Sequence, residues 1–370
     1  MRMPTPDHGR LLDRQDDLGD ACAHLSGAAE LPLDTEFART ETYRPKLCLV
    51  QVALPGRVFC VDMLAPLDFA SFWQGVAAPG ATKIMHAAKQ DLEVLLLRFG
   101  RLPGPLFDTQ VAAGLLGHPA QAGYATLVAA ELGVQLDKSQ TRTDWSRRPL
   151  TGAQIEYAAN DVAHLGELAG RLRARLAERG REQWALEDCA ALLDPALYGV
   201  RPESAWERLP GITWQSPVVQ ARARRLAAWR ERRADQADRP RQWILADQAL
   251  LALAATGPVD VAAIEELDVM PRGAVRNSGA AIVTELRAAE ADLADGRVQI
   301  TQQERPAATD NGRVKQLGTL VQKAAADLGI AAEILATRSE LAALLRGASE
   351  LRLLRGWRRE VIGTTLLAAL

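Results

Sequence analysis

Apolar and polar residues change rhythm along the chain. From Glu30 to about Ala190, short apolar runs bounded by turn residues give way to longer runs of helical spacing. Residues 31–37, 46–53, 57–62 and 82–86 read as strands, and Pro55-Gly56 between the second and third marks a tight hairpin. A helix is expected after the fourth strand, through residues 91–97, and helical patterns dominate from Thr109 onward. Three clustered strands followed by β-α alternation predict an α/β unit, a mixed sheet flanked by helices.

From Trp206 the pattern becomes helical almost throughout, with Pro and Gly as punctuation and few β-branched runs. Two helical modules are expected, at residues 202–295 and 313–370, behind an α/β domain at residues 1–195. The polar stretch 296–312 between the modules, with Gln302-Gln303-Glu304-Arg305-Pro306, reads as a linker. A length of 370 residues agrees with two or three domains. Hydrophobic residues make up 48% of the chain, enough for real cores. The net charge of −2 does not announce a nucleic-acid binder, so attraction to phosphates has to come from local patches. Four cysteines, Cys22, Cys48, Cys60 and Cys189, form no C-x-x-C pair and read as buried free thiols. Residues 1–14 are polar and lack an apolar export core, and no stretch approaches the ~20 apolar residues of a membrane span. A cytoplasmic protein with no membrane partner is expected, and a monomer is favoured.

Chemistry enters through acidic residues in a fixed order. Asp34 and Glu36 are two apart in the first strand and project from one sheet face, while Thr35 and Phe37 point into packing. Two carboxylates side by side repel unless a cation lies between them. Tyr157 and Asp161, four apart, share one helix face. Asp91 opens the helix after the fourth strand, where it either stabilises the helix N-terminus or joins a site at the strand-to-helix ends. In the same segment His86 reads more readily as a core or supporting histidine than as a base, and Lys89 as either a solvated helix charge or a phosphate contact. Asp108 reads as a helix N-cap. Together the acids supply hard oxygen ligands suited to two Mg²⁺ or Mn²⁺ ions about 3.5–4 Å apart, the equipment of phosphodiester hydrolysis.

Four segments resemble the motifs of the ribonuclease D family, within the DEDDy branch of 3′-to-5′ exonucleases. They are Leu33-Asp34-Thr35-Glu36-Phe37, His86-Ala87-Ala88-Lys89-Gln90-Asp91-Leu92-Glu93-Val94, Phe107-Asp108-Thr109-Gln110 and Tyr157-Ala158-Ala159-Asn160-Asp161-Val162. Residues 136–150 are similar to a further segment of that family. The resemblance implies a ribonuclease H-like exonuclease domain. It implies that Asp34, Glu36 and Asp161 hold one metal, that Asp34 and (through water) Asp91 hold the second, and that Tyr157 positions the attacking water. Lys138, Arg142, Arg147 and Arg148 would grip the RNA backbone near the cut. Residues 229–247 are similar to the helicase-and-RNase-D C-terminal (HRDC) domain, and residues 328–338 with 353–360 look like a divergent second copy. Arginines at 222, 224, 225, 230, 232 and 233, and at 352, 355, 358 and 359, read either as ion-paired helix faces or as phosphate contacts.

The implied activity is metal-dependent 3′-to-5′ trimming of structured RNA, tRNA precursors above all, with release of nucleoside 5′-monophosphates. Residue spacing does not choose RNA over DNA, so a single-strand DNA exonuclease is the second reading. A non-catalytic nucleic-acid scaffold is the third, opposed by the presence of Asp34, Glu36, Asp91, Tyr157 and Asp161 together.

Overall fold

The computed structural model describes residues 7–136, 143–199, 201–300, 302 and 308–370. Six strands form one sheet: β1 (Asp7–Leu12), β2 (Glu30–Ala38), β3 (Lys46–Leu54), β4 (Arg57–Asp62), β5 (Thr82–Met85) and β6 (Leu106–Asp108). Their spatial order is β1-β4-β3-β2-β5-β6. The middle three strands are antiparallel, and β1, β5 and β6 each join a neighbour in parallel, giving the expected mixed sheet. The turn from β3 to β4 runs through Pro55-Gly56, where Gly56 takes φ +75°, a conformation a side chain resists. β3 is buried from Leu47 to Ala53, as a central strand covered on both faces should be.

Alternation along β2 sorts the two faces. Leu31 and Leu33 enter a core with α1 (Gln15–Leu25), α2 (Ala70–Val76) and α3 (Lys89–Phe99). The opposite face meets α4 (Thr109–Gly114), α5 (Tyr124–Leu132), α6 (Gly152–Ala163), α7 (Leu165–Glu178) and α8 (Glu182–Ala191). Asp34 and Glu36 point to that second face.

Two strands escape the sequence pattern. β1, with the sequence DHGRLL, has apolar residues only at its end, and residues 1–14 read as a polar segment. Its place in the sheet comes from pairing with β4 and from Gly9, where an added Cβ would stand 2.7 Å from the Ala159 Cβ of α6. β6 is three residues long, and its Asp108 doubles as the cap of α4, so the cap signal hides the strand.

The C-terminal helices α14 (Ala308–Leu328), α15 (Ala332–Leu335), α16 (Arg338–Leu345), α17 (Gly356–Arg358) and α18 (Thr364–Ala368) group with the sheet in one compact unit. Their apolar faces share a core with α4 to α8. Trp357 stacks on Trp184 with ring centroids 4.3 Å apart and planes 7° from parallel. Arg358, 4% exposed, grips both oxygens of Asp188 and donates to the Ile334 carbonyl at 2.7 Å. Arg181 donates to the carbonyls of Leu115 and Leu328, both at 2.6 Å.

The second unit contains the described residues of 39–45 and 199–302. It is helical: α9 (Pro217–Ala237), α10 (Arg241–Ile244), α11 (Asp247–Thr256), α12 (Val261–Glu266) and α13 (Arg272–Ala294) close around Leu226, Leu250, Leu253, Ile264, Ile282 and Leu286. The first arginine cluster is largely consumed here. Arg222 pairs with Glu290, Arg225 with Glu285 and Asp292, and Arg232 with Glu203. Arg230, 2% exposed, meets Asp247 at 2.6 Å. In the C-terminal cluster, Arg352 pairs with Glu340, Arg355 with Glu350 and Arg358 with Asp188. Of the two readings open for these clusters, ion-paired helix faces fit the paired members. No helix among the described residues is long and apolar enough to cross a membrane.

Candidate active site

Three carboxylates converge where α6 crosses the sheet. β2 presents Asp34 and Glu36 on one face, directly opposite Gln51 and Leu49 of β3. α6 begins at a capping box: the Gln154 N–H donates to Thr151 Oγ1 at 3.3 Å and the Thr151 N–H to Gln154 Oε1 at 2.8 Å. Its Ala158, Ala159 and Val162 are buried against the sheet, and the small alanines allow close approach. The helix thereby carries Asp161 to the paired acids of β2. One ligand atom from each of Asp34, Glu36 and Asp161 lies within 4.8 Å of the others, a spacing a cation can bridge.

The electrostatics are those of a site short of positive charge. Burial, then repulsion from Asp91, Asp161 and Glu36, holds the Asp34 carboxyl well above its ordinary range. Burial and the neighbouring Asp161 and Asp91 push Glu36 up to about 9. Burial raises Asp161 and Asp91 to about 7 each. No cation figures among the causes of these shifts. Carboxylates gathered without a counter-charge suit a divalent ion, and all-oxygen donors suit a hard one.

Tyr157 stands one helical turn before Asp161 and hydrogen-bonds to its carboxylate. Burial and the three acids hold its phenol far above neutral, so the hydroxyl stays protonated and acts as a hydrogen-bonding group rather than a base. Trp145 flanks the phenol, with ring centroids 6.2 Å apart.

Asp91 lies beside the cluster rather than in it. The Thr35 hydroxyl donates to its carboxylate at 2.5 Å, which ties the first turn of α3 to β2. Thr35 was expected to serve packing alone; its hydroxyl also holds Asp91. Asp108 organises the same corner. Its carboxylate accepts the N–H groups of Gln110 and Val111 at the start of α4, as a cap should. It also accepts those of Ala87 and Ala88 at 3.2 and 2.8 Å. Ala87 has φ +55°, a strained conformation that these bonds offset where the chain turns from β5 into α3. Neither role of Asp108 toward Ala87 nor that of Thr35 has a signal in residue spacing.

The proposed RNA-gripping residues separate. Lys89 is exposed in the first turn of α3. Arg147 is exposed, its side chain 84% accessible, and bonds Asp144 at 3.1 Å. Arg148 clamps Asp62 with two bonds of 2.7 and 2.6 Å and donates to the carbonyls of Cys48, Trp145 and Arg147, so its guanidinium anchors the 143–150 loop to the sheet. Both ring nitrogens of His86 are engaged, by Thr109 Oγ1 at 2.9 Å and the Ala122 carbonyl at 3.0 Å, and burial lowers its pKa. Lys138 and Arg142 lie outside the described residues.

Known proteins resemble this chain over nearly its whole length. Residues 10–177 match the 3′-5′ exonuclease family model, and residues 219–286 match that of the HRDC domain. Ribonuclease D of Granulibacter bethesdensis is 38% identical over 99% of this chain and 93% of its own length. Ribonuclease D of Gluconacetobacter diazotrophicus is 40% identical over 97% of this chain and 92% of its own. The crystal structure of Escherichia coli RNase D, an exoribonuclease involved in structured RNA processing, aligns with a TM-score of 0.89 at 29% identity, covering 97% of this chain and 98% of that one. With a ribonuclease H-like sheet, an HRDC domain and full-length likeness to these relatives, the chain belongs to the ribonuclease D family of 3′-to-5′ exoribonucleases.

Proposed function

We propose that Asp34, Glu36, Asp91, Tyr157 and Asp161 form the catalytic site of a two-metal exoribonuclease that trims the 3′ ends of structured RNA, tRNA precursors in particular, and releases nucleoside 5′-monophosphates. The observation that carries this reading is the uncompensated cluster of Asp34, Glu36 and Asp161. Asp34, Glu36 and Asp161 would hold one divalent ion, and Asp34, with Asp91 through water, the other. Such ions, Mg²⁺ or Mn²⁺, lower the pKa of the attacking water and stabilise the leaving oxygen when bound.

The chain's own residues supply orientation. Asp161 fixes the Tyr157 hydroxyl by hydrogen bond, and the hydroxyl in turn fixes the attacking water. Thr35 holds Asp91 at the edge of the cluster. Lys89 and Arg147, exposed and close in sequence to these elements, fit phosphate contacts, as do Lys138 and Arg142 by their place in the chain; His86 and Arg148 support the fold of the site. A tRNA precursor labelled at its 5′ end should shorten progressively with Mg²⁺ or Mn²⁺, and a matched DNA strand should be cut more slowly. Preference for the DNA would favour the single-strand DNA exonuclease instead.

Tyr157→Phe should lower turnover by ~10–100-fold, the worth of about one buried hydrogen bond to a reacting group, while RNA affinity stays unchanged. Single-turnover hydrolysis beside a binding titration checks this, and an unchanged rate removes the hydroxyl from the mechanism.

We also infer that residues 313–370 are a divergent second copy of the HRDC domain. The order of elements supports it. α9 and α14 are each 21 residues long, and each is followed by a four-residue helix, α10 or α15. Both short helices end on an extended residue, Leu245 at φ −159° and Ala336 at φ −155°, before α11 or α16.

A further inference from the structure

Gln51 is the most conspicuous polar residue that the site leaves unused. It lies in the middle of β3 and is 0% exposed. Neither its amide nitrogen nor its amide oxygen has a hydrogen-bond partner in the structure. Buried side-chain amides are ordinarily satisfied, by protein groups, bound water or an ion's ligands, and one without a protein partner calls for such an explanation. An apolar residue would fill this position without that cost.

The register identifies the partner. Gln51 pairs directly with Asp34 across the antiparallel strands, and with Cys60 on its other side. Side chains directly opposite in such a pair stand on one face with Cβ atoms roughly 4.5–5.5 Å apart. The immediate surroundings of Gln51 are otherwise apolar: Leu49 and Ala53 flank it along β3, and α6 lays Ala158, Ala159 and Val162 on this face, while Glu36 stands one pair further along, opposite Leu49. The Cys60 thiol turns instead to the Ile155 carbonyl, at 3.9 Å. Asp34 is therefore the acceptor directly opposite Gln51, with Glu36 diagonal to it. A carboxylate that gives some of its lone pairs to a cation retains others for a donor, and ligating carboxylates are characteristically fixed by such a donor.

We propose that Gln51 is a positioning residue for the metal site: its amide N–H donates to the Asp34 carboxylate, directly or through one water, in the metal-loaded protein. The proposal rests on the reading of Asp34 as a metal ligand. Gln51 touches neither metal nor RNA; it sets the orientation of the carboxylate that the two metal positions share.

The test is Mn²⁺ titration calorimetry on the full chain, wild type beside Gln51→Leu and Gln51→Met, the second keeping an unbranched chain of similar length. Loss of the donor should raise the Mn²⁺ dissociation constant by ~10–100-fold, the usual effect of removing a ligand's supporting hydrogen bond. Turnover on RNA should fall with KM unchanged, and the Tm of the metal-free variants should stay level or rise. Unchanged Mn²⁺ affinity in a folded variant, or a lowered metal-free Tm as the only effect, assigns Gln51 to packing and overturns the proposal. Wild type that takes up no Mn²⁺ overturns it too, but through failure of the metal reading, which distinguishes the two cases.

Discussion

Replacing Asp34 by Asn should lower exonuclease turnover by at least ~10³-fold, a barrier increase of about 4 kcal/mol, and should raise the thermal stability of the metal-free protein. Both effects have one cause. Asp34 stands in the cluster with Glu36 and Asp161 and also feels Asp91, which on the proposed reading makes it the acid common to both metal positions. Asn keeps the shape and one acceptor oxygen but removes the charge that offsets a divalent ion. The same charge destabilises the protein when no ion is there, because burial and three neighbouring acids oppose it. A purely structural acid behaves oppositely, with its loss costing stability and sparing activity. Hydrolysis of a 5′-labelled RNA and calorimetry of the metal-free variant separate the cases. Turnover within tenfold of wild type, or a lowered metal-free Tm, would remove Asp34 from the metal site.

The sequence carried this site further than it carried the fold. Asp34 and Glu36 were readable as a pair because strand alternation fixes which residues share a face, and Tyr157 and Asp161 because a helix brings i and i+4 together. That the pairs meet is a tertiary fact; it came from the order of motifs in a known family, not from spacing. Thr35 shows the limit of alternation, which assigned it to packing. Its hydroxyl reaches Asp91 from 56 positions away, a contact no local pattern encodes. Arg148 shows the limit of composition. A basic residue near a nuclease motif invites a phosphate, yet its guanidinium is held by Asp62 and three carbonyls. The C-terminal helices make the same point at larger scale. Apolar spacing says that a helix face is buried, not against what, and the stacking of Trp357 on Trp184 ties residues more than 170 positions apart. β1 was lost because it is polar until its last two residues, and β6 because three residues are too few for periodicity to be read.

The stability of the metal-free protein should fall as pH rises, and a divalent ion should reverse the trend. Asp91 and Asp161 titrate near 7 in the folded protein and Glu36 near 9, against ordinary values of 3.8 and 4.5. Between these limits the folded chain holds protons that the unfolded chain has lost. The contribution of these groups is therefore fully present below about pH 4 and disappears as pH climbs through 7 toward 9. From pH 5.5 to 8.5 the loss is on the order of a few kcal/mol, which lowers Tm by roughly 5–10 °C. An ion binds the ionised carboxylates and displaces their protons, so its affinity rises over the same interval. At ~100 times its dissociation constant it returns about 2.7 kcal/mol. The Tm increment from saturating Mg²⁺ or Mn²⁺ should accordingly be larger at pH 8 than at pH 5.5 and absent in Asp34→Asn. Calorimetric scans across pH with and without metal measure both trends. A metal-free Tm that rises from pH 5.5 to 8.5, or an increment independent of pH, would show that the acids reach the folded state already ionised and paired, and the uncompensated cluster would lose its meaning as a metal site.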